Sequence, residues 1–288
     1  MTPTPRPDTP NSLPRTESAS QAELDASRRI VQEVARFTGS LQRSVVVRSL
    51  RGSALSVGRR ENVRRPAASL IKLPLAMALY DLASTNSVAL NMSVKREDIQ
   101  TSRYPSILEV FDANHSFLLS ELCGIMLATS DNPAAQYILD LVGISNVNAF
   151  LADRQCNDTR MVVGYRDYEL SSPLARSNYS SAHDMANLLS IAYSERRYNP
   201  LLKSLTNGLR KSRIPLRLPE DLPVANKTGT LDGVVDDAAI IYGNNYDLSI
   251  TILADAEENE PLTENEIADF VTTVWKSLGE RLDERGEQ

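Results

Sequence analysis

Cysteine and histidine are scarce in this sequence, which contains two of each among its 288 residues. Cys123 and Cys156 allow at most one disulfide, and of the two alternatives we favour a pair of buried free thiols. His115 and His183 lie in no recognisable catalytic-triad context, so we expect both side chains to be structural. Neither residue type indicates a disulfide scaffold or a nucleophile activated by histidine.

Long apolar runs are also missing, both within the chain and near its start. No uninterrupted apolar run approaches the ~18 residues that a membrane-spanning helix requires. The first twenty residues hold five prolines among Thr, Ser, Asp and Arg, and no apolar segment follows that would form the core of a signal peptide. We therefore expect a disordered, proline-rich tail over residues 1–21, a cytoplasmic location and no membrane partner.

The sequence has no excess of basic residues either. The formal net charge is −6 and no stripe of Lys or Arg runs along the chain, which argues against a nucleic-acid partner. Hydrophobic residues make up 42% of the sequence and charged residues 24%, which is ordinary for a globular protein. A chain of this size and composition holds enough apolar mass for one large domain or two small ones.

The apolar pattern predicts a helix near each end of the chain, with strands beside it. Apolar side chains recur at helical spacing over residues 22–39 and again over 267–278. Runs typical of strands follow the first helix and precede the last one, at 44–47, 54–57, 225–230, 238–242 and 248–253. Gly52 and Gly243 lie in the connections of the first two and the last two runs, so each of these pairs is predicted to form a hairpin.

The middle of the chain is mainly helical. Residues 70–83 are strongly apolar and predict a buried helix, and 117–142 and 183–194 show further helical patterns. The stretches 141–147 and 154–182 are rich in turn residues, so we expect irregular structure there.

This order of elements predicts an α/β (α+β) fold. Strands from both ends of the chain meet in one antiparallel sheet, with the terminal helices on one of its faces. The middle then forms an inserted, all-helical lobe. We expect a single domain over residues 22–288, with the α/β lobe at 22–66 and 206–288 and the helical lobe at 67–205.

A serine three residues before a lysine occurs in an apolar setting, at Ser69 and Lys72. If a helix begins near Ser69, the two side chains share a face and can touch. A serine hydroxyl is a poor nucleophile until a base takes its proton, and a buried lysine with a lowered pKa can be that base. The pattern alone is common by chance and also fits a solvated helix turn. The apolar residues around Lys72, however, predict that this lysine lies in a core.

Two further motifs carry polar residues at structurally marked places. The first, Ser130-Asp131-Asn132-Pro133, lies between two apolar helical stretches and fits a helix N-cap well. The second, residues 227–230 with the sequence Lys-Thr-Gly-Thr, lies on a predicted strand near the C-terminus and also fits an edge strand with a surface lysine. Glycine inside a strand indicates that another part of the molecule approaches the backbone closely.

Together the three motifs resemble the class A β-lactamases and penicillin-binding proteins, whose signature is Ser-x-x-Lys, Ser-Asp-Asn and Lys-Thr-Gly in this order. The resemblance covers residues 22–280. It implies a β-lactamase/transpeptidase-like fold, a β-lactam-like or acyl-amide small-molecule substrate, no metal or other cofactor, and a monomer.

The resemblance also implies a role for each matching residue. Ser69 attacks the substrate carbonyl and becomes acylated, and Lys72 accepts or relays its proton. Ser130 delivers a proton to the leaving nitrogen, and Asn132 binds a substrate amide. Lys227 holds the substrate carboxylate and influences Ser130.

The remaining matching residues follow Lys227 along the chain. Thr228 assists in binding the carboxylate, and Gly229 and Thr230 complete the substrate-binding strand. The backbone N–H groups of Ser69 and Thr230 form the oxyanion hole.

One motif of the family is absent. Class A β-lactamases carry a glutamate, in a Glu-x-x-Leu-Asn motif on a loop, that activates the water for deacylation. The register of the sequence puts Tyr165 at the position of that glutamate and Glu169 at the position of the asparagine. Asp167 or Glu169 would supply the carboxylate in a differently folded loop, and both also fit surface charges. In the second case Tyr165 would pack over the site instead. Glu169 is our candidate catalytic carboxylate.

Three functions follow from these motifs. The first is a serine hydrolase of the class A β-lactamase type that is acylated by a β-lactam or a related amide or ester and deacylates slowly. The second is a penicillin-binding-protein-like peptidase, or a cytoplasmic transacylase in biosynthesis, in which an amine rather than water accepts the acyl group. The third is a non-catalytic binding or sensor module, and the intact motifs argue against it. Serine-dependent glutaminases share the Ser-x-x-Lys start, but the Ser-Asp-Asn triplet favours the lactam-recognising group.

Overall fold

The structure, a computed structural model, describes residues 21–101, 105–166 and 177–279. The predicted tail therefore lies outside the described residues, apart from Gln21, and so do Asp167 and Glu169. The expectations for these positions stay predictions.

Eight α-helices and nine strands lie within these ranges. The helices are α1 (Gln21–Phe37), α2 (Lys72–Ser84), α3 (Leu119–Thr129), α4 (Asn132–Val142), α5 (Ile144–Asp153), α6 (Ala182–Ser194), α7 (Asn199–Thr206) and α8 (Glu260–Ser277). The strands are β1 (Arg43–Arg51), β2 (Ser56–Arg59), β3 (Arg65–Pro66), β4 (Ser93–Lys95), β5 (Ser116–Leu118), β6 (Tyr179–Ser180), β7 (Val224–Leu231), β8 (Val234–Tyr242) and β9 (Asp247–Ala254).

Five of the strands form one antiparallel sheet in the order β2-β1-β9-β8-β7. Strand β1, from the start of the chain, pairs with β9, from its end, with Val45 opposite Ile252. The predicted hairpins β1–β2 and β8–β9 are both present. Because β7 pairs with β8 alone in this sheet, its other side is an edge. The α/β (α+β) fold with one antiparallel sheet is confirmed.

The two faces of the sheet are covered by different layers. Helices α1 and α8 pack on one face, where Ile30, Val34, Phe270 and Trp275 join the inward side chains of the strands in one apolar cluster. The helices of the middle of the chain form a second and larger cluster around α2, which also reaches the other side of the sheet through Val46, Ala238 and Ile240. This arrangement positions the short turn that precedes α2 beside strand β7. The lobe boundaries given above stay a prediction.

The expectation of irregular structure over 141–147 is wrong. Helix α4 continues to Val142 and α5 begins at Ile144, so only Gly143 separates them. Gly143 has φ +83°, a conformation that is strained for residues other than glycine, and this allows a single residue to end one helix and begin the next.

Both cysteine thiols are buried and unpaired, as expected. Burial raises the pKa of each of them to about 12, which keeps both protonated and unreactive at neutral pH. Within the described ranges, no helix combines the length and the apolar character that crossing a bilayer requires.

Candidate active site

Ser69 lies in a 3₁₀ turn, Ala68–Ile71, that leads directly into α2. Ala68 has φ +42°, so the chain bends sharply just before the serine. Ser69 is half-buried, whereas its neighbours on both sides are buried. The turn therefore presents one accessible hydroxyl at the start of a buried helix.

Lys72 is fully buried and contacts four oxygen atoms through its Nζ. The two short contacts, both 2.6 Å, are to the carbonyl oxygen of Ser130 and to Oδ1 of Asn132. The two longer ones are to the Oγ of Ser69 at 3.3 Å and the Oγ of Ser130 at 3.2 Å. Both short partners are oxygens that can only accept, so they take up both N–H groups of a neutral amine. The lone pair of that amine is then left for a hydroxyl proton.

The surroundings of Lys72 favour this neutral form. Burial lowers the pKa of Lys72 well below its usual value, and the positive charges of Lys227 and Arg210 lower it further, against the opposing effect of Asp131. Among the described residues, no carboxylate forms an ion pair with Lys72. The expectation that this lysine lies in a core is confirmed.

Ser130 connects the two lysines. It ends α3 with φ +63°, a left-handed conformation that is uncommon for serine. Its Oγ lies 3.2 Å from Nζ of Lys72 and 3.0 Å from Nζ of Lys227. The N-cap of α4 is Asp131, whose Oδ1 accepts from the N–H of Ala134 at 2.9 Å. Capping is therefore done by Asp131, which leaves the Ser130 hydroxyl between two amines.

Lys227 lies on β7 at the edge of the sheet, but it is only 3% exposed and so is not a surface lysine. Its Nζ donates to the carbonyl oxygen of Thr228 at 2.8 Å as well as to Ser130. Burial lowers its pKa to about 7, helped by Arg210 and Arg213 and opposed by Asp237. The charge of Lys227 is therefore sensitive to pH near neutrality.

Gly229 allows the close approach that its place in a strand predicts. A Cβ at this position would lie 3.1 Å from the carbonyl oxygen of Ala67 and 3.1 Å from Cβ of Ala68. The strand thus packs directly against the turn that carries Ser69. Thr228 is buried and Thr230 is exposed at this end of the strand.

Tyr165 covers the remaining side of Lys72. The Nζ of Lys72 lies 4.9 Å from the centroid of its ring, within the range of a cation–π contact. The backbone N–H of Tyr165 donates to Oε1 of Gln136 on α4 at 2.6 Å, which anchors the segment. The register of the sequence placed Tyr165 in this region, and its contact with Lys72 agrees with the alternative in which this residue packs over the site.

Arg210 is a residue that the sequence motifs did not indicate. It is exposed and lines a small cavity together with Ser130, Lys227 and Thr228. It lies in the irregular segment between α7 and β7, where no periodicity or motif marks it. Its guanidinium group adds a permanent positive charge beside the two lysines.

The structure thus brings together Ser69, Lys72, Ser130, Asn132 and Lys227 through direct contacts, with Gly229 packed against the turn of Ser69. Glu169, the predicted catalytic carboxylate, lies outside the described residues. Among the residues described, no group of three or more His, Cys, Asp or Glu side chains is arranged to bind a metal ion. The roles of the individual residues remain predictions.

Comparison with known proteins agrees with this arrangement. The model of a family described as the beta-lactamase enzyme family matches residues 25–278. A curated relative, beta-lactamase BRO-1 of Moraxella catarrhalis, is 27% identical over 198 residues. The match covers 65% of this chain and 62% of BRO-1, so the chain spans less than two thirds of the length of that relative.

Solved structures share the fold at low sequence identity. A beta-lactamase from Sphaerobacter thermophilus matches with a TM-score of 0.77 and 21% identity, covering 88% of this chain and 97% of the other. The TLA-3 extended-spectrum beta-lactamase matches with a TM-score of 0.78 and 19% identity over 88% and 99% of the two chains. PBP-A matches with a TM-score of 0.74 and 22% identity over 88% and 96%. Because the family model matches residues 25–278, which is most of the sequence, this chain belongs to the beta-lactamase enzyme family.

Proposed function

We propose that this protein is a serine hydrolase of the class A β-lactamase type, which is acylated at Ser69 by a β-lactam or a related amide or ester and deacylates slowly. The observation that carries the proposal is the contact set of Lys72. Two oxygens that only accept lie 2.6 Å from its Nζ, and the hydroxyls of Ser69 and Ser130 lie at 3.3 and 3.2 Å. This set suits a neutral amine that gives both N–H groups to the acceptors and turns its lone pair to a hydroxyl. Membership of the beta-lactamase enzyme family supports the hydrolytic chemistry.

In the acylation step, Lys72 takes the proton of Ser69 as the Oγ attacks the substrate carbonyl. The distance of 3.3 Å between Nζ and Oγ is close to that of a working hydrogen bond and shortens readily when substrate binds. The C–N bond then breaks, and Ser130 passes a proton to the departing nitrogen. Ser130 contacts both lysines, so the ammonium group of a protonated lysine can replace the proton that Ser130 has given up.

The charge on the substrate is held on the other side of Ser130. Lys227 and Thr228 bind the carboxylate, and Asn132 binds the amide of the acyl group. The N–H groups of Ser69 and Thr230 stabilise the oxyanion that forms in the transition state. Arg210 adds a positive charge at the cavity where the carboxylate enters. We therefore expect anionic substrates.

Slow deacylation follows from what lies beside Lys72. Hydrolysis of the ester needs a base within reach of a water molecule near the acyl carbon. The ring of Tyr165 lies against Lys72 at the position where the sequence register expects the family glutamate. An aromatic ring removes no proton from water at neutral pH, and it fills space that a water would use. We assign any residual hydrolysis to Glu169, so Glu169→Gln should lengthen the life of the acyl-enzyme while Asp167→Asn leaves it unchanged.

A burst experiment tests the proposal. With a chromogenic cephalosporin in excess, we expect release of one equivalent of chromophore per enzyme, followed by a much slower steady state. The Ser69→Ala variant should give no burst. Fast multiple turnover without a burst would contradict slow deacylation, and the absence of any chromophore release would contradict acylation.

The second candidate is a transacylase or peptidase of the penicillin-binding-protein type, and the same ring of Tyr165 favours it. A site that excludes water from the acyl-enzyme still admits an amine delivered on a larger molecule. If this is the function, an added primary amine accelerates the second phase of the burst in proportion to its concentration and appears in an amide product. Hydrolysis of glutamine is the corresponding assay for a glutaminase.

The cytoplasmic location and the monomeric state expected from the sequence belong to the same proposal. Fractionation of cells that express the full natural gene tests the first, and light scattering on the purified protein tests the second.

A further inference from the structure

Arg213 is a buried arginine that the proposed chemistry does not use. It lies between α7 and β7, its side chain is only 2% exposed, and it is among the largest fully enclosed side chains of the protein. A guanidinium group is costly to bury unless its donors are satisfied and its charge is paired. Both conditions are met here, and the partners lie close to the candidate active site.

Three of the contacts of Arg213 are to strands β7 and β8. One nitrogen, Nη1, donates to the carbonyl oxygens of Gly229 at 2.7 Å and of Asp236 at 2.6 Å. The other terminal nitrogen, Nη2, donates to Oγ1 of Thr230 at 2.6 Å. The carbonyl of Gly229 and the N–H of Thr230 belong to the same peptide group. Arg213 therefore holds the peptide whose N–H is the proposed oxyanion donor.

The same peptide is held from the opposite side of the sheet. The position that a Cβ would occupy on Gly229 faces Ala67 and Ala68, which belong to the segment that carries Ser69. Side chains alternate along a strand, so Thr230, which contacts Arg213, points to the other face. The peptide between Gly229 and Thr230 is thus clamped between the nucleophile turn and the guanidinium group.

Two carboxylates on α8 fix the guanidinium group in turn. Nε of Arg213 lies 3.0 Å from Oε1 of Glu264, and Nη2 lies 3.0 Å from Oε1 of Glu260. Both glutamates are near the start of α8, at one end of the terminal helix pair. The planar fork of arginine makes these contacts and the three contacts with the strands at once, which the ammonium of a lysine cannot do.

We propose that Arg213 is a positioning residue for acyl transfer, which holds the Gly229–Thr230 peptide so that the N–H of Thr230 points at the developing oxyanion. This proposal rests on the proposed acylation of Ser69. It adds that the helix pair on the far side of the sheet contributes to the rate of the reaction through Glu260, Glu264 and Arg213.

The test compares Arg213→Lys with Arg43→Lys as a matched control. Arg43 is also largely buried and also binds two carboxylates, with Glu257 at 2.8 Å and Glu266 at 2.5 Å, but it does not contact β7. Two quantities are measured on the full chain: the rate constant of acylation per active site, with active sites counted from the burst, and the inhibition constant of phenylboronic acid. Boronic acids form a tetrahedral adduct with a serine and so report on the oxyanion site.

We expect Arg213→Lys to lower the acylation rate constant by about 10- to 100-fold, since loss of a whole oxyanion donor costs ~10²–10³-fold and a displaced donor costs less. The inhibition constant of the boronic acid should rise in parallel, while the non-covalent dissociation constant of the β-lactam changes less than about threefold. Arg43→Lys should leave both reaction parameters unchanged.

Other outcomes overturn the proposal. If Arg213→Lys lowers only the melting temperature or the fraction of active sites, with a normal rate constant per site, Arg213 is merely structural. If that variant does not fold, Glu264→Gln keeps the guanidinium but removes one of its ion pairs, and a normal acylation rate in this variant also counts against the proposal. The burst of the wild-type protein distinguishes failure of the proposed function from failure of the role of Arg213. No burst in wild type means that the proposed function has failed, whereas a normal burst with insensitive variants means that only the role of Arg213 has failed.

Discussion

The two sides of the Lys72 side chain differ sharply in their chemistry. On one side, four oxygen atoms of Ser69, Ser130 and Asn132 lie between 2.6 and 3.3 Å from Nζ. On the other side lies the ring of Tyr165, with its centroid at 4.9 Å. The oxygen-lined side offers the path for the proton of the nucleophile that the proposed mechanism needs, whereas the residue described on the aromatic side, Tyr165, is not a base that activates water at neutral pH.

This difference separates the two halves of an acyl-transfer reaction. Forming the acyl-enzyme needs a nucleophile, a base and a proton donor, and in the proposed mechanism Ser69, Lys72 and Ser130, which lie in contact with one another, take these roles. Breaking it by hydrolysis needs a second base, which the proposed mechanism does not assign to any of the described residues. On this proposal the two steps depend on different parts of the molecule, and variants can separate them.

The largest effect should come from the oxygen-lined side. Replacing Lys72 with Met removes the base, and we expect the acylation rate constant to fall by about 10³-fold, since a positioned general base contributes ~10²–10⁴-fold. Stopped-flow measurement of the burst with a chromogenic cephalosporin gives this constant. Lys203→Met, which removes an exposed lysine on α7, is the control and should react normally. A Lys72→Met enzyme that acylates at the normal rate would remove Lys72 from the mechanism.

Changing the aromatic side should affect the other step. We expect Tyr165→Glu to shorten the life of the acyl-enzyme by about 10²-fold, because a carboxylate beside Lys72 can activate water. Acylation should change by less than about tenfold. Tyr165→Phe, which keeps the ring, should behave as wild type. If Phe shortens the acyl-enzyme as much as Glu does, the hydroxyl rather than the ring protects the ester.

Much of the oxygen-lined side could be predicted from the sequence, whereas for the aromatic side the sequence offered Tyr165 over the site only as one alternative. The burial of Lys72 followed from its apolar neighbours, and the close packing at Gly229 followed from a glycine inside a strand. The contact of Tyr165 with Lys72 depends on how a segment without periodicity crosses the site, and no residue pattern records such a path. Arg210 was not predicted for the same reason, because it too lies in a segment without periodicity.

Backbone conformation marks a second limit of the sequence. Ala68 and Ser130 have positive φ angles of 42° and 63°, although neither is a glycine. Tertiary contacts impose these conformations on residues whose own preferences lie elsewhere. Conversely, turn residues over 141–147 suggested irregular structure, whereas the single residue Gly143 was enough to join two helices. The sheet, which depends on apolar alternation and hairpin turns, was predicted well.

The pH dependence of acylation sharpens the account of the oxygen-lined side. Lys227 is cationic below its pKa of about 7 and neutral above it, so attraction of an anionic substrate should weaken as the pH rises through 7. Lys72 must be neutral to act as the base, and burial favours the neutral form by lowering its pKa well below the usual value. We therefore expect kcat/KM for acylation to fall on the alkaline side, as the pH rises through about 7 and Lys227 loses its charge.

The alkaline limb of that profile can be assigned by substitution. It should fall by about tenfold per pH unit in wild type, and Lys227→Arg should flatten it, because arginine keeps its charge throughout this range. An unchanged alkaline limb in Lys227→Arg would assign that ionisation to another group.

The smallest effect concerns the packing of β7 against the turn of Ser69. The methyl group of Gly229→Ala would press on Ala67 and Ala68 at 3.1 Å, so we expect a loss of about 1–3 kcal/mol in the free energy of unfolding. Acylation should slow by a few-fold as the turn shifts. Gly124→Ala on α3 meets only the flexible Oγ of Ser204 at 3.3 Å and should be neutral or stabilising. Urea unfolding of both variants compares their free energies of unfolding. A Gly229→Ala protein as stable as wild type would show that the turn moves away from the added methyl group at no cost.

The most direct test of the difference between the two sides of Lys72 is intact mass spectrometry of the wild-type protein over time after mixing with a penicillin. The account predicts that the protein rapidly gains the full mass of one penicillin molecule and keeps it for many minutes, and that Ser69→Ala gains nothing. A wild-type protein that never gains the mass would contradict acylation at Ser69. One that consumes many equivalents of penicillin without an accumulated adduct would contradict the role assigned to Tyr165.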